Sequence, residues 1–139
     1  MAERYSDVFY QFLDAWLTRR SVTDTLALIG EDCTGFGTGE DEVAVLAHAD
    51  GGSSLSDRDL YERDIREAPN RIHYEIQTLS IRELSASTGV VMATMDLNTI
   101  ILEQRVSFHG LRMSFVFSDE PDGLKLRHDH ISFPTTLHR

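Results

Sequence analysis

Leu124-Lys125-Leu126-Arg127-His128-Asp129-His130-Ile131-Ser132-Phe133-Pro134 forms the last expected strand, and the rest of the chain is organised around it. At a period of two, Leu124, Leu126, His128, His130 and Ser132 share one face, while Lys125, Arg127, Asp129, Ile131 and Phe133 share the other. Two leucines followed by two histidines and a serine describe a strand that begins in a core and ends in a polar recess. Pro134 offers no ladder donor and stops the strand.

Working back from this strand, the same alternation continues. Asp119-Glu120-Pro121-Asp122-Gly123 is a turn. Before it, Leu111, Met113, Phe115 and Phe117 alternate with Arg112, Ser114, Val116 and Ser118. Val90 to Leu97 is an apolar strand that continues through Ile101, and Ser85 to Gly89 turns into it. Ile72, Tyr74 and Ile76 alternate, after which the apolar set slips to Leu79 and Ile81. A slip of one residue predicts a bulge near Gln77-Thr78 and a bent strand. Short turns between these strands make an antiparallel meander.

The first part of the chain has helical spacing. Tyr5, Val8, Phe9, Phe12, Leu13, Trp16 and Leu17 follow the i, i+3, i+4, i+7 pattern, with Arg19 and Arg20 in the last turn. A second, short helix capped by Ser21 or Thr23 is expected through Leu26, Leu28 and Ile29, ending at Gly30. Gly35, Gly37 and Gly39 alternate in a polar run that fits a short edge strand or a lip loop, and Glu40, Asp41 and Glu42 read as a solvated acidic lip. Val43 to Ala49 is apolar enough for one or two helical turns. Ser56-Asp57-Arg58-Asp59 is a capping box variant opening a helix toward Ala68, which Pro69-Asn70 ends. Helices first and a bent sheet afterwards give an α+β domain over residues 1–139, a cone-shaped roll with the N-terminal helices packed in the concave face. A curled sheet leaves an apolar recess at its open end.

Composition narrows the partners. Lys and Arg number 13 against 23 Asp and Glu, a net charge of −10. Such a surface repels phosphate, so neither nucleic acid nor an anionic membrane is an expected partner. No apolar run is long enough to span a bilayer, and Met1-Ala2-Glu3-Arg4-Tyr5-Ser6 has no signal-peptide pattern, so a cytoplasmic address is expected. The one cysteine, Cys33, reads as a buried, inert thiol. The glycine run lacks the Gly-Lys-Ser/Thr ending of a phosphate loop, and no cofactor is expected.

The order of helices, edge strand and bent meander resembles a SnoaL-like domain of the nuclear transport factor 2-like, cystatin-like superfamily. Gly37-Thr38-Gly39-Glu40-Asp41-Glu42 and the ending His128-Asp129-His130-Ile131-Ser132-Phe133-Pro134 carry the resemblance. In such sequences a His-x-Ser-x-Pro strand follows an arginine-bearing strand, and His130, Ser132, Pro134 and Arg112 take those places. The corner before the last strand, which often carries a tryptophan, here holds Gly123-Leu124. The resemblance implies a homodimer through the outer sheet face, where Arg112, Ser114 and Val116 lie. It leaves activity open, because this fold hosts cyclases, isomerases, dehydratases, sensors and assembly modules.

Three chemistries fit the residues. The first is a pocket for an unidentified small molecule, with His130, Ser132 and Arg112 orienting it and Trp16, Phe12 and Tyr74 as wall. The second is a metal-independent isomerase or cyclase, in which His130 or His128 moves a proton next to a carbonyl. Alternation puts Asp129 on the face opposite both histidines, so the adjacent His-Asp pair is not a dyad on a flat strand. The third is a dimeric interaction or assembly module with no ligand, in which His130 and Ser132 only satisfy the backbone of the Gly-Thr-Gly lip. His128 and His130 also share the spacing of a metal pair, but no third ligand stands at a helpful distance, and no metal is expected.

Overall fold

The computed structural model describes residues 3–45 and 55–135. Helix α1 spans Glu3–Leu13 and passes directly into a π-helical turn, Asp14–Thr18. A five-residue helix, α2 (Val22–Leu26), follows, capped by Ser21, whose hydroxyl accepts from the Asp24 backbone N–H. Strand β1 (Ile29–Phe36) and the two-residue β2 (Val43–Ala44) precede α3 (Asp57–Glu67). The meander is β3 (His73–Ser85), β4 (Thr88–Ile101), β5 (Gln104–Glu120) and β6 (Gly123–Ser132). Among the described residues, no helix is long and apolar enough to cross a membrane.

The six strands form one sheet in the order β2-β1-β6-β5-β4-β3. Every pair is antiparallel except β1 and β6, which the helices and their connections bring side by side in parallel. The inner face is apolar: Val91, Ala93, Met95 and Leu97 on β4, and Leu111, Met113, Phe115 and Phe117 on β5. Helix α1 lies against this face through Tyr5, Val8, Phe9, Phe12 and Leu13, so the aromatic stripe is core. Gly89 permits a close approach, since a Cβ there would stand 2.7 Å from Tyr5 Cζ.

Extra residues bend the sheet. Gln77 is inserted on β3 between the pairs Ile76–Met95 and Thr78–Thr94, where the slip in the apolar pattern predicts it. On β5, His109 and Gly110 face the single residue Asp96; Gly110 has φ 70°, and its N–H donates to Asp96 Oδ1 at 2.9 Å. On β6, Arg127 is the extra residue, because Phe117 pairs with Leu126 and Val116 with His128. Its guanidinium holds the insertion, donating to Glu120 Oε1 (2.5 Å) and Asp32 Oδ2 (2.8 Å).

Several local expectations are corrected. Ile29 and Gly30 belong to β1 and not to the second helix, because Leu28 O accepts from Leu126 N–H (2.8 Å) and draws the chain into the sheet. β1 is an interior strand between β2 and β6. Val43 and Ala44 are strand; the rest of the expected helical stretch, 46–49, lies outside the described residues. The capping box at Ser56 and Asp59 forms as expected, and α3 ends just before Ala68-Pro69. Arg20 lies beyond the helix, with φ 51°.

Candidate functional site

The Arg127 bulge decides what faces inward. Upstream of it, Leu126 points into the core; downstream, the inward positions are Asp129 and Ile131. His128 and His130 are therefore on the outer face, contrary to the flat-strand reading that put them on one face with Leu126. His128 Nδ1 hydrogen-bonds Thr34 Oγ1 at 2.8 Å, and exposed His130 lies 5.8 Å from the Phe36 ring. Ser132 pairs with Arg112, which is exposed and donates from Nη2 to Phe133 O at 3.3 Å. None of these four lines the recess. Phe12 is fully buried beneath it, edge-on to Tyr61 at 5.3 Å, and Tyr74 packs against the core from β3. Of the residues expected there, Trp16 is the one in the wall.

The recess has a cavity volume of about 210 Å³ at the open end of the cone, and its lining is mostly apolar. Its floor is a pair of carboxyls, Asp57 at the start of α3 and Asp129 on β6, 4% and 3% exposed. Asp129 Oδ2 accepts from Tyr61 Oη at 2.9 Å, and Asp57 Oδ2 accepts from Cys33 Sγ at 3.1 Å. Gly35 makes room for this arrangement, because a Cβ there would come within 1.7 Å of Asp129 Oδ1. Burial pushes the Asp129 carboxyl up to about 9, reinforced by its hydrogen bond to Asp57 and by the charge there. The Asp129 carboxyl thus keeps its proton at neutral pH, hydrogen-bonded beside Asp57. Burial likewise raises the Tyr61 phenol and the Cys33 thiol, with the carboxylates adding to it, so both remain hydrogen-bond donors.

The wall is held by the π-helical turn. Such turns occur often at functional sites, and this one aims Trp16 inward. Trp16 Nε1 donates to Asp64 Oδ2 (3.0 Å), and its ring stands edge-on to Tyr61 at 5.1 Å. Arg20 fixes the turn to α3: its buried guanidinium donates to Trp16 O, Asp64 O and Ala68 O and pairs with Asp64 at 3.1 Å. The lip after β1 is tied by Glu42, whose Oε1 accepts from Gly39 N–H at 2.9 Å. Glu42 lines the recess and is only partly exposed.

Ligand atoms of Cys33, Asp57 and Asp129 lie within 4.8 Å of one another, so this buried trio could hold a metal ion. As arranged, each already has a hydrogen-bond partner, and the set is joined by protons. With Glu42, Asp64 and no Lys, Arg or His in the lining among the described residues, the recess is acidic. That arrangement can donate a proton or hydrogen bond to an uncharged group, and it repels anions.

A bent, unclosed sheet wrapped around N-terminal helices is the nuclear transport factor 2-like, cystatin-like architecture. Within it, the chain belongs to the SnoaL-like domain family, which matches residues 6–136. No curated protein sequence matches the chain. Among solved structures it is similar to a ketosteroid isomerase-like protein from Erwinia carotovora atroseptica, at 14% identity and TM-score 0.72 over 97% of both chains. A nuclear transport factor 2-like protein of unknown function from Pseudomonas putida has 10% identity and TM-score 0.74, covering 98% of this chain and 88% of that one. The association domain of C. elegans CaMKII has 12% identity and TM-score 0.67, with 94% and 93% covered. At these identities the likeness is one of fold.

Proposed function

We propose that the recess binds a compact, mainly apolar small molecule whose uncharged polar end meets the proton held between Asp57 and Asp129. The observation that carries this reading is a buried carboxyl pair at the floor of an apolar cavity. At about 210 Å³ the cavity exceeds the ~150 Å³ that holds benzene in an engineered protein cavity. The one tryptophan, Trp16, reports on it directly. Calorimetric and fluorescence titration with phenol and cyclohexanone tests the reading. Saturable binding, weakened about tenfold in Asp57→Asn, is expected; no response from Trp16 to either probe would sink it.

A second reading is metal-independent proton transfer next to a carbonyl, favoured by a carboxyl that keeps its proton up to about pH 9 beside a second carboxyl. One carboxylate would take the proton from the α-carbon while its neighbour gives a proton to the carbonyl oxygen. The enol then returns the oxygen's proton and is protonated on carbon, which leaves the pair unchanged. Deuterium exchange into cyclohexanone, followed by NMR, should be faster with the protein than without it, and lost in Asp57→Asn and Asp129→Asn. Exchange equal to the buffer rate would leave binding alone. We further propose a homodimer through the outer sheet face, supported by Met92 (43% exposed) and half-buried Val116 on neighbouring strands there.

A further inference from the structure

The β4–β5 turn is at odds with its own geometry. Leu102 and Glu103 both lie in the left-handed region, with φ 49° and 66°. Two-residue hairpin turns of this kind favour Asn-Gly, and other residues there carry a conformational cost. Leu102 is also 91% exposed, so burial does not compensate. A local rule broken without a packing reason is a place to look for function.

Ile101, the last residue of β4 before this turn, lines the recess. β4 contributes Leu97, Thr99 and Ile101 to one wall, and Asp129, Ile131 and Phe133 lie along the other. Both rows begin on buried residues and end on half-exposed apolar ones, Ile101 and Phe133. Four residues of extended chain carry each row roughly 13 Å outward. Thr99 gives its hydroxyl to Arg71 O (3.0 Å), which satisfies the one polar group in its row. Phe108 closes the wall against Phe133, with ring centroids 5.5 Å apart. Asn70 Nδ2 donates to Ile100 O at 2.9 Å and anchors the tip. Apolar lining therefore runs from the carboxyl pair out to Ile101 and Phe133, and exposed Leu102 follows Ile101 in the turn.

Resting on the ligand site proposed above, the geometry points to one ligand class: an uncharged amphiphile with a hydroxyl or carbonyl head and a straight alkyl chain longer than the recess. The head meets Asp57 and Asp129, and the chain leaves between Ile101 and Phe133 to lie against Leu102. A carboxylate head is refused, because Glu42, Asp57, Asp64 and Asp129 line the recess and the Arg20 donors are engaged with Trp16, Asp64 and Ala68.

Straight-chain primary alcohols from butanol to decanol, titrated into the full chain and read by Trp16 fluorescence and calorimetry, test this. Affinity should rise about fourfold per methylene, including lengths too long for the recess. Leu102→Asn, which suits a positive φ, and Leu102→Ser should leave butanol binding unchanged and lower the affinity for decanol severalfold. Decanoate should bind at least about tenfold more weakly than decanol. A plateau at the same chain length in all three proteins would overturn the proposal while leaving the recess a ligand site, as would decanoate binding as tightly as decanol. If no alcohol binds, butanol included, the ligand site itself fails. If Leu102→Asn instead halves the sedimenting mass, a second copy covers the tip and the proposal falls.

Discussion

Asp129 keeps its proton to about pH 9 because its carboxyl is buried against Asp57, and this has a consequence for stability. A raised folded pKa means that the native state binds the proton more tightly than the unfolded chain does. The stability this contributes is fully present below the unfolded value near 3.8 and is lost progressively as pH rises to about 9. Asp24, Asp96 and Asp122, held below the usual carboxylate range by Arg19, by the Gly110 N–H and by Lys125, act in the opposite sense, but only in more acidic solution. Urea midpoints should therefore fall between about pH 5 and pH 9, and Asp129→Asn should remove most of that slope. A wild-type midpoint that is flat over this range would contradict the raised Asp129 carboxyl. Gly35→Ala tests the same site sterically. With no room for a Cβ beside Asp129, it should cost about 2 kcal/mol in denaturant unfolding and change the pH slope as well.

The elements differ in how much of themselves the sequence displays. α1, the α3 capping box and the bulge at Gln77 can be read locally, from spacing, from Ser56 with Asp59, and from a slip in alternation. β6 carries the same kind of slip: its apolar residues sit at 124 and 126, then at 131 and 133. Two histidines in between look like a continuous polar end and mask the change of phase, so Asp129 is assigned to the wrong side and Asp57 and Tyr61 pass as ordinary helix residues. Ile29 was illegible for another reason, since its strand exists only through parallel pairing with β6 far along the chain. The β4–β5 turn has no turn residues to announce it. Its cost is measurable: Glu103→Gly should raise stability by about 1 kcal/mol, because glycine adopts φ 66° freely. An unchanged unfolding midpoint would show that the turn is not strained.

At the scale of the whole molecule, the sheet has two faces of separate character, and the alternation that separates them also makes the overall cone legible from sequence. The inner face packs on α1 and opens into the recess; the outer face presents Met92, Val116, His128 and His130. If two copies join through that outer face, Val116→Arg should convert a dimer to a monomer in sedimentation velocity while leaving the Trp16 signal for a recess ligand intact. A monomeric wild type would remove the dimer from the proposal. The residue between these two faces is Arg127. One added position there works like a half-turn in a printed ribbon: everything after it appears on the reverse side. A lineage that gained or lost that position would exchange what faces the recess with what faces outward, aspartate for histidine, without altering any other letter of the strand.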